Sequence, residues 1–261
     1  MDSQLNSARI RSDRAIGSRI AENPGKVPSV KALAFDVFGT VVDWRRSIIR
    51  EIDAFAAAHG LNIDSTCLAD AWRAGYKPTI ERVRSGELPW MNIDALHRLI
   101  LDSLLKEFSV TRVLEAELDH LNRAWHRLKP WPDSIEGLVR LKRGFIITTL
   151  SNGTFALLAN MAKHAGLPWD CIISAELFRH YKPDPETYLG TATLLGLEPG
   201  EVMLVAAHPD DLRAAKAQGC RTAFVKRPLE FGADQPLPTT GDREFDIIAS
   251  DFLNLARQLD C

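Results

Sequence analysis

Lys31-Ala-Leu-Ala-Phe-Asp36-Val-Phe-Gly-Thr40-Val-Val-Asp43 is the stretch that decides the fold. A short apolar run leads into a carboxylate and is stopped by Gly39. A strand covered on both faces reads as a continuous apolar run, so the pattern predicts a buried parallel strand presenting Asp36 at its carboxyl end. Similar short runs follow much later, at Phe145–Leu150, Cys171–Ser174, Val202–Ala206 and Thr222–Val225, with a sixth at Phe245–Ala249. Helical patterns lie between them: Thr154–Ala165 stops at Gly166, Pro185–Leu195 at Gly196, and Asp210–Gln218 at Gly219. Strands alternating with helices predict an α/β fold, a doubly wound parallel sheet with its site at the carboxyl ends of the strands.

The segment after the first strand breaks that alternation. Ile48, Ile52, Phe55 and Ala56 share one helix face, as do Ile93, Leu96, Ile100 and Leu104, and Val113, Leu114, Leu118, Leu121 and Trp125 form a third. Residues 46–129 therefore read as a helical cap domain inserted after the first strand, able to close over the site and exclude water. Pro130-Trp131-Pro132 reads as the hinge returning the chain to a core of residues 29–45 and 130–261. Residues 1–28 are polar and broken by Asn23-Pro24-Gly25, which suggests a flexible extension.

Composition narrows the function classes. Over 261 residues, 46% hydrophobic and 25% charged content suits a soluble globular enzyme rather than a disordered or membrane chain. A net charge of −2 offers no basic field for a nucleic-acid backbone, which leaves a small molecule as the expected partner. No run approaches the roughly 20 apolar residues that span a bilayer, and the start lacks a signal-type apolar segment, so a cytoplasmic location is expected. Cys67, Cys171, Cys220 and Cys261 are scattered, without the spacing of a zinc or redox motif.

Three groups besides Asp36 end strands of the expected sheet: Ser151-Asn152-Gly153, Lys182-Pro183-Asp184, and Ala207-His208-Pro209-Asp210-Asp211. Taken singly, each has a plain explanation as a turn, a helix cap or a surface lysine. Parallel strands bring their carboxyl ends together, and that convergence argues for one pocket holding two carboxylates, an ammonium, a hydroxyl and an amide. A carboxylate is a poor nucleophile in water and needs groups that aim it without quenching it. Thr40 and the turn amides suit that task, and Lys182 would keep Asp36 ionised. Asp211 begins a helix, while Ser151 and Asn152 stand where free amides favour anions.

In Phe35-Asp36-Val37-Phe38-Gly39-Thr40, Leu150-Ser151-Asn152-Gly153 and Tyr181-Lys182-Pro183-Asp184 with Tyr188, the chain resembles the haloacid dehalogenase superfamily, and within it the L-2-haloacid dehalogenases, over residues 30 to 255. The resemblance implies a cofactor-free, metal-independent displacement in which Asp36 attacks the halogen-bearing carbon of a small carboxylate. The resulting aspartyl ester is then cleaved by water that Asp211 activates. It further implies that Ser151 holds the substrate carboxylate, that Asn152 and Arg73 of Trp72-Arg73 reach the halide or carboxylate, and that Phe38, Trp90 and Tyr188 wall the pocket. It is compatible with a homodimer.

Departures from relatives matter here. Phosphatases of this superfamily carry a general-acid Asp where this chain has Phe38, and a magnesium-ligating Asp where it has Ala207; neither side chain here can serve. Phe38 stands where many dehalogenases have Tyr, and Ala206-Ala207-His208 replaces a Ser-Ser-Asn run, so His208 is left to tune charge or shape the pocket. The rival readings are a phosphatase, a hydrolase of another small carboxylate such as a strained-ring imino acid, and a binding protein retaining a relic pocket.

Overall fold

Ala32–Phe35 forms strand β1 with all four side chains buried, in a computed structural model that describes residues 29–233 and 244–261. The extension expected over residues 1–28 lies outside the described residues. Leu33 and Phe35 join one apolar cluster and Ala34 another, because successive strand side chains point to opposite faces.

After β1 the order is β2 (Val42–Asp43), α1 (Trp44–His59), α2 (Ser65–Ala74), α3 (Tyr76–Arg84), α4 (Ile93–Glu107), α5 (Glu115–Asn122) and β3 (Lys129–Pro130). The rest comprises α6 (Ser134–Leu141), β4 (Ile146–Thr149), α7 (Phe155–Ala165), α8 (Pro185–Leu195), β5 (Val202–Ala206), α9 (Pro209–Ala217), β6 (Arg221–Val225), β7 (Ile247–Ala249) and α10 (Phe252–Gln258). The sheet runs β4-β1-β5-β6-β7 and is parallel throughout. Phe35 lies opposite Thr149 on one side and Val205 on the other, so the residues following all three strands emerge at the same edge. With β1 flanked by later strands on both sides, the crevice at its carboxyl end is a topological switch point, where such sheets bind ligands.

Cys171–Ser174, expected as a strand, forms only two isolated bridges, Thr148 to Cys171 and Ser151 to Ser174. Side chains take over the ladder there. Thr149 Oγ1 donates to the Ile173 carbonyl at 2.8 Å and accepts from the Ile173 amide at 3.0 Å, so the backbone groups of 173 are satisfied without regular pairing.

Five helices occupy the chain between Trp44 and Asn122. The stripes on α1 and α4 are buried as expected, but Leu114 is 70% exposed, because it precedes α5 as its cap rather than facing inward from the helix. Entry to and exit from this segment are tied together where β2 pairs antiparallel with β3. Beyond the exit, Trp131 Nε1 donates to the Gly39 carbonyl at 2.8 Å and Ser134 Oγ to the Val41 carbonyl at 2.6 Å, which anchors the return of the chain to the turn after Asp36.

The helices α6 and α10 approach so closely that a Cβ at Gly137 would stand 2.3 Å from the Phe252 Cβ. Overpacking a core at such a point costs about 1–3 kcal/mol. Gly137→Ala is expected to lower the thermal midpoint by several degrees while leaving catalytic constants per folded molecule unchanged, as checked by calorimetry alongside activity.

Candidate active site

Asp36 follows β1, Ser151 and Asn152 follow β4, and Asp211 stands in the first turn of α9 after β5. Their strands are neighbours, so the side chains meet. Lys182 Nζ lies between two carboxylates, 2.9 Å from Asp36 Oδ1 and 2.5 Å from Asp211 Oδ2. The other Asp211 oxygen accepts from the Tyr188 hydroxyl at 2.6 Å. Asp36 Oδ2 accepts from Thr40 Oγ1 at 2.7 Å, and Thr40 in turn accepts the Ala207 amide at 2.9 Å, which locks the hydroxyl's direction.

The electrostatics follow from burial. Asp36 is 7% exposed, and desolvation alone would raise its pKa; the Lys182 ammonium, the His208 ring and the Thr40 hydroxyl overcome that and hold it well below the usual carboxylate range. Burial opposes the charge on Lys182, but Asp211 and Asp36 raise it above the ordinary lysine value. Tyr188 is pushed up by burial and then by Asp211, so it remains a hydroxyl donor.

Asn152 uses both ends of its amide. Oδ1 accepts the Lys182 backbone amide at 2.8 Å, and Nδ2 donates to the Tyr76 hydroxyl at 2.9 Å. Ser151 is fully buried, and its Oγ accepts the Gly153 amide at 3.2 Å. Phe38 packs edge-on to Trp125, with ring centroids 6.0 Å apart. Arg73, near the end of α2, lays its guanidinium 4.6 Å from the centre of the Tyr76 ring and 5.6 Å from that of Trp44. That puts Arg73 one ring away from Asn152. Trp90 stacks on Tyr181 at 4.8 Å, beside Lys182 in sequence but not on the charged cluster itself.

His208 reaches Asp36 directly. Nδ1 lies 3.0 Å from Asp36 Oδ2, and Nε2 lies 2.9 and 3.1 Å from the two oxygens of Glu230. Burial would lower its pKa, but Glu230 and Asp36 raise it to about 10.

Two participants escaped the sequence reading. Tyr76 starts α3 only three residues beyond Arg73, and its contact with Asn152 is made across the fold. Glu230 sits in the loop after β6, 4% exposed, and also accepts from Trp44 Nε1 at 3.2 Å. Its one available signal was position, since β6 adjoins β5 and its following loop must approach the same edge.

Residues 30–219 match the family model of the haloacid dehalogenase-like hydrolases. The chain belongs to that family. Among the haloacid dehalogenase-like hydrolases, it is 30% identical to (S)-2-haloacid dehalogenase 4A of Burkholderia cepacia over 212 residues, 77% of this chain and 85% of that one. The crystal structure of a defluorinating L-2-haloacid dehalogenase superposes with a TM-score of 0.85 at 50% identity, covering 89% of this chain and 96% of the other. An L-2-haloacid dehalogenase from Xanthobacter autotrophicus, with chloropropionic acid covalently bound, gives 0.72 at 25% identity, covering 88% and 98%.

Gly39 makes room for the Glu230 carboxylate. Its φ is +83°, and a Cβ there would fall 2.1 Å from Glu230 Oε1. Gly39→Ala is expected to cost about 1–3 kcal/mol from the backbone conformation alone and to drive Glu230 off His208. A urea midpoint together with the imidazole resonances of His208 would check both effects.

Proposed function

We propose that the protein hydrolyses small 2-haloalkanoic acids to 2-hydroxy acids through an ester formed on Asp36, without a metal ion. The observation that carries this reading is the unequal loading of the Asp36 oxygens. Among the described residues, Oδ2 takes two donors, Thr40 and His208, whereas Oδ1 takes Lys182 alone. A carboxylate oxygen has two lone pairs, so Oδ1 keeps one free for attack. That lone pair forms the bond to the substrate carbon as the carbon–halogen bond breaks and its electron pair leaves with the halide. Water then attacks the ester at the Asp36 carboxyl carbon, giving up a proton to Asp211, and as the bond from that carbon to Oδ1 breaks Asp211 returns the proton to Oδ1, which departs as the hydroxyl of the 2-hydroxy acid. The covalent chloropropionic acid adduct in the Xanthobacter structure supports the ester, and the names of the other two relatives support the substrate class.

The substrate's carboxylate and leaving group need cationic and hydrogen-bonding partners. We assign Ser151 to the carboxylate, and Arg73 with the remaining amide hydrogen of Asn152 to the departing halide. Phe38 and Tyr188 supply walls, and Trp90 supports Tyr181 behind them. Residues 46–129 act as a cap over the core formed by 29–45 and 130–261. Arg84 on α3 pairs with Asp184 beside Lys182 at 2.7 Å, and Asp94 on α4 accepts from Thr154 at 3.0 Å, contacts suited to holding a closed form. Among the described residues, no helix is long and apolar enough to cross a membrane.

The donor set does not suit magnesium. The Lys182 ammonium already bridges Asp36 and Asp211, and the adjoining Phe38 and Ala207 offer no oxygen, where magnesium demands several hard ligands in octahedral array. That disfavours the superfamily's phosphatase chemistry for this site.

Asp36→Asn should abolish chloride release from chloroacetate, and a chelator should leave the unaltered enzyme's rate unchanged. In a single turnover in labelled water, oxygen label should enter Asp36 before product; direct entry into product would exclude the ester. The depressed Asp36 pKa has a further consequence. The carboxylate stays charged as pH falls below its ordinary value near 3.8, so kcat/KM followed below that value, to about pH 3.5, should lack the fall that an unperturbed carboxylate would give.

A further inference from the structure

We propose that His208, held by the buried carboxylate of Glu230, is a catalytic residue of the ester-hydrolysis half of the reaction, forming with Thr40 an oxyanion site at Asp36 Oδ2. The inference rests on the ester reading above and goes beyond it by assigning a group to its second step.

The geometry supplies the charge state. Nδ1 faces Asp36 and Nε2 faces Glu230. Carboxylate oxygens accept hydrogen bonds, so both ring nitrogens must donate, and a histidine donating from both is an imidazolium. Trp44 Nε1, a donor only, also points at Glu230 Oε1, which marks that oxygen as an acceptor. The raised pKa of the ring, about 10, agrees with this assignment. The charged groups facing the ring are Asp36 after β1 and Glu230 after β6. Lys182 joins Asp36 to Asp211 on the other side of that carboxylate.

The same geometry supplies the timing. Attack uses Oδ1, so Oδ2 becomes the ester carbonyl oxygen. When water adds to the carboxyl carbon, the carbonyl π pair moves onto Oδ2, and its collapse re-forms the double bond while Oδ1 leaves with the product. Thr40 Oγ1 and His208 Nδ1 stand 2.7 and 3.0 Å from that atom, within the range of an effective oxyanion site. In the resting state the imidazolium is balanced by both carboxylates. Esterification removes the charge of Asp36, so the ring then polarises an uncharged carbonyl while Glu230 keeps it protonated. Glu230 touches no reacting atom and is a positioning residue. Gly39, whose missing side chain leaves the space Glu230 occupies, completes the device.

The test is rapid-quench mass analysis of the full chain with chloroacetate, paired with steady-state kinetics. In His208→Ala, one equivalent of chloride should be released in a burst. A carboxymethyl adduct should accumulate on the peptide containing Asp36, and kcat should fall by on the order of 10²–10³, the usual effect of losing one oxyanion donor. KM should fall in parallel, leaving kcat/KM unchanged, because only the second step is slowed. His208→Ala leaves Glu230 buried with Trp44 as its remaining partner, so the double variant His208→Ala/Glu230→Gln is run beside it, with the same adduct expected. Glu230→Gln alone should move the alkaline fall of kcat, set in the unaltered enzyme by loss of the imidazolium in the ester form, to lower pH, because Glu230 is the carboxylate that still raises the ring there.

Burst and turnover slowed equally with no adduct in either His208 variant would overturn the assignment, as would an unchanged kcat or an unmoved alkaline limb in Glu230→Gln. Failure of the ester reading is distinguishable, since the unaltered enzyme itself would then place solvent label directly in product.

Discussion

One ammonium between two carboxylates is the interaction on which the rest of the structure depends. The Lys182 side chain is 8% exposed and its Nζ touches both Asp36 and Asp211, whose side chains are nearly as buried. Without it, two like charges would share a dry pocket, and one would take up a proton. Under the proposed mechanism a neutral Asp36 would have no nucleophile to offer, and a neutral Asp211 no base. Breaking a buried ion pair by removing one member is generally worth 3–5 kcal/mol, so stability and chemistry converge on the same side chain. Much nearby architecture holds it in place: Asn152 at the end of β4 accepts its backbone amide, and Tyr188 on α8 steadies the far carboxylate.

Around that core the charges alternate along the sheet edge, as Glu230, His208, Asp36, Lys182 and Asp211. Each buried charge therefore has an opposite neighbour at hydrogen-bonding distance, the condition under which ionised groups survive removal from water. The arrangement also separates the duties of the two Asp36 oxygens. One is crowded by donors and suited to carry developing negative charge, and the other keeps an open lone pair. A metal-centred site would stabilise charge with a cation recruited from solution; here the covalent chain supplies both cations.

The helical segment between β2 and β3 reaches residues around the charged cluster. Tyr76 reaches Asn152, Trp44 reaches Glu230, and Arg73 rests on both aromatic rings. Displacing the segment would loosen the amide that holds Lys182 and the carboxylate that holds His208 together. Access and the alignment of the charged chain are in this way coupled through the same few side chains.

The alternation of apolar runs and helical stripes was enough to read the sheet, the inserted helices and the meeting of Asp36, Ser151, Asn152 and Asp211, because strand-end positions follow directly from local periodicity and parallel pairing. Lys182 also meets them, but the strand expected to deliver it is not formed, and Asn152 holds its backbone amide instead. Phe38 and Ala207 spoke against magnesium only beside the pattern of the superfamily's phosphatases, which carry Asp at both positions. Cys171–Ser174 was misread because threonine hydroxyls replace ladder bonds there, a choice made by the neighbouring strand rather than by the segment. The partners of His208 were illegible for a similar reason. Glu230 lies 22 residues beyond it and Asp36 172 before it, and no local pattern links them. Only the folded chain, by ending β1, β5 and β6 at one edge and leaving Gly39 without a side chain, decides that a loop carboxylate meets that ring.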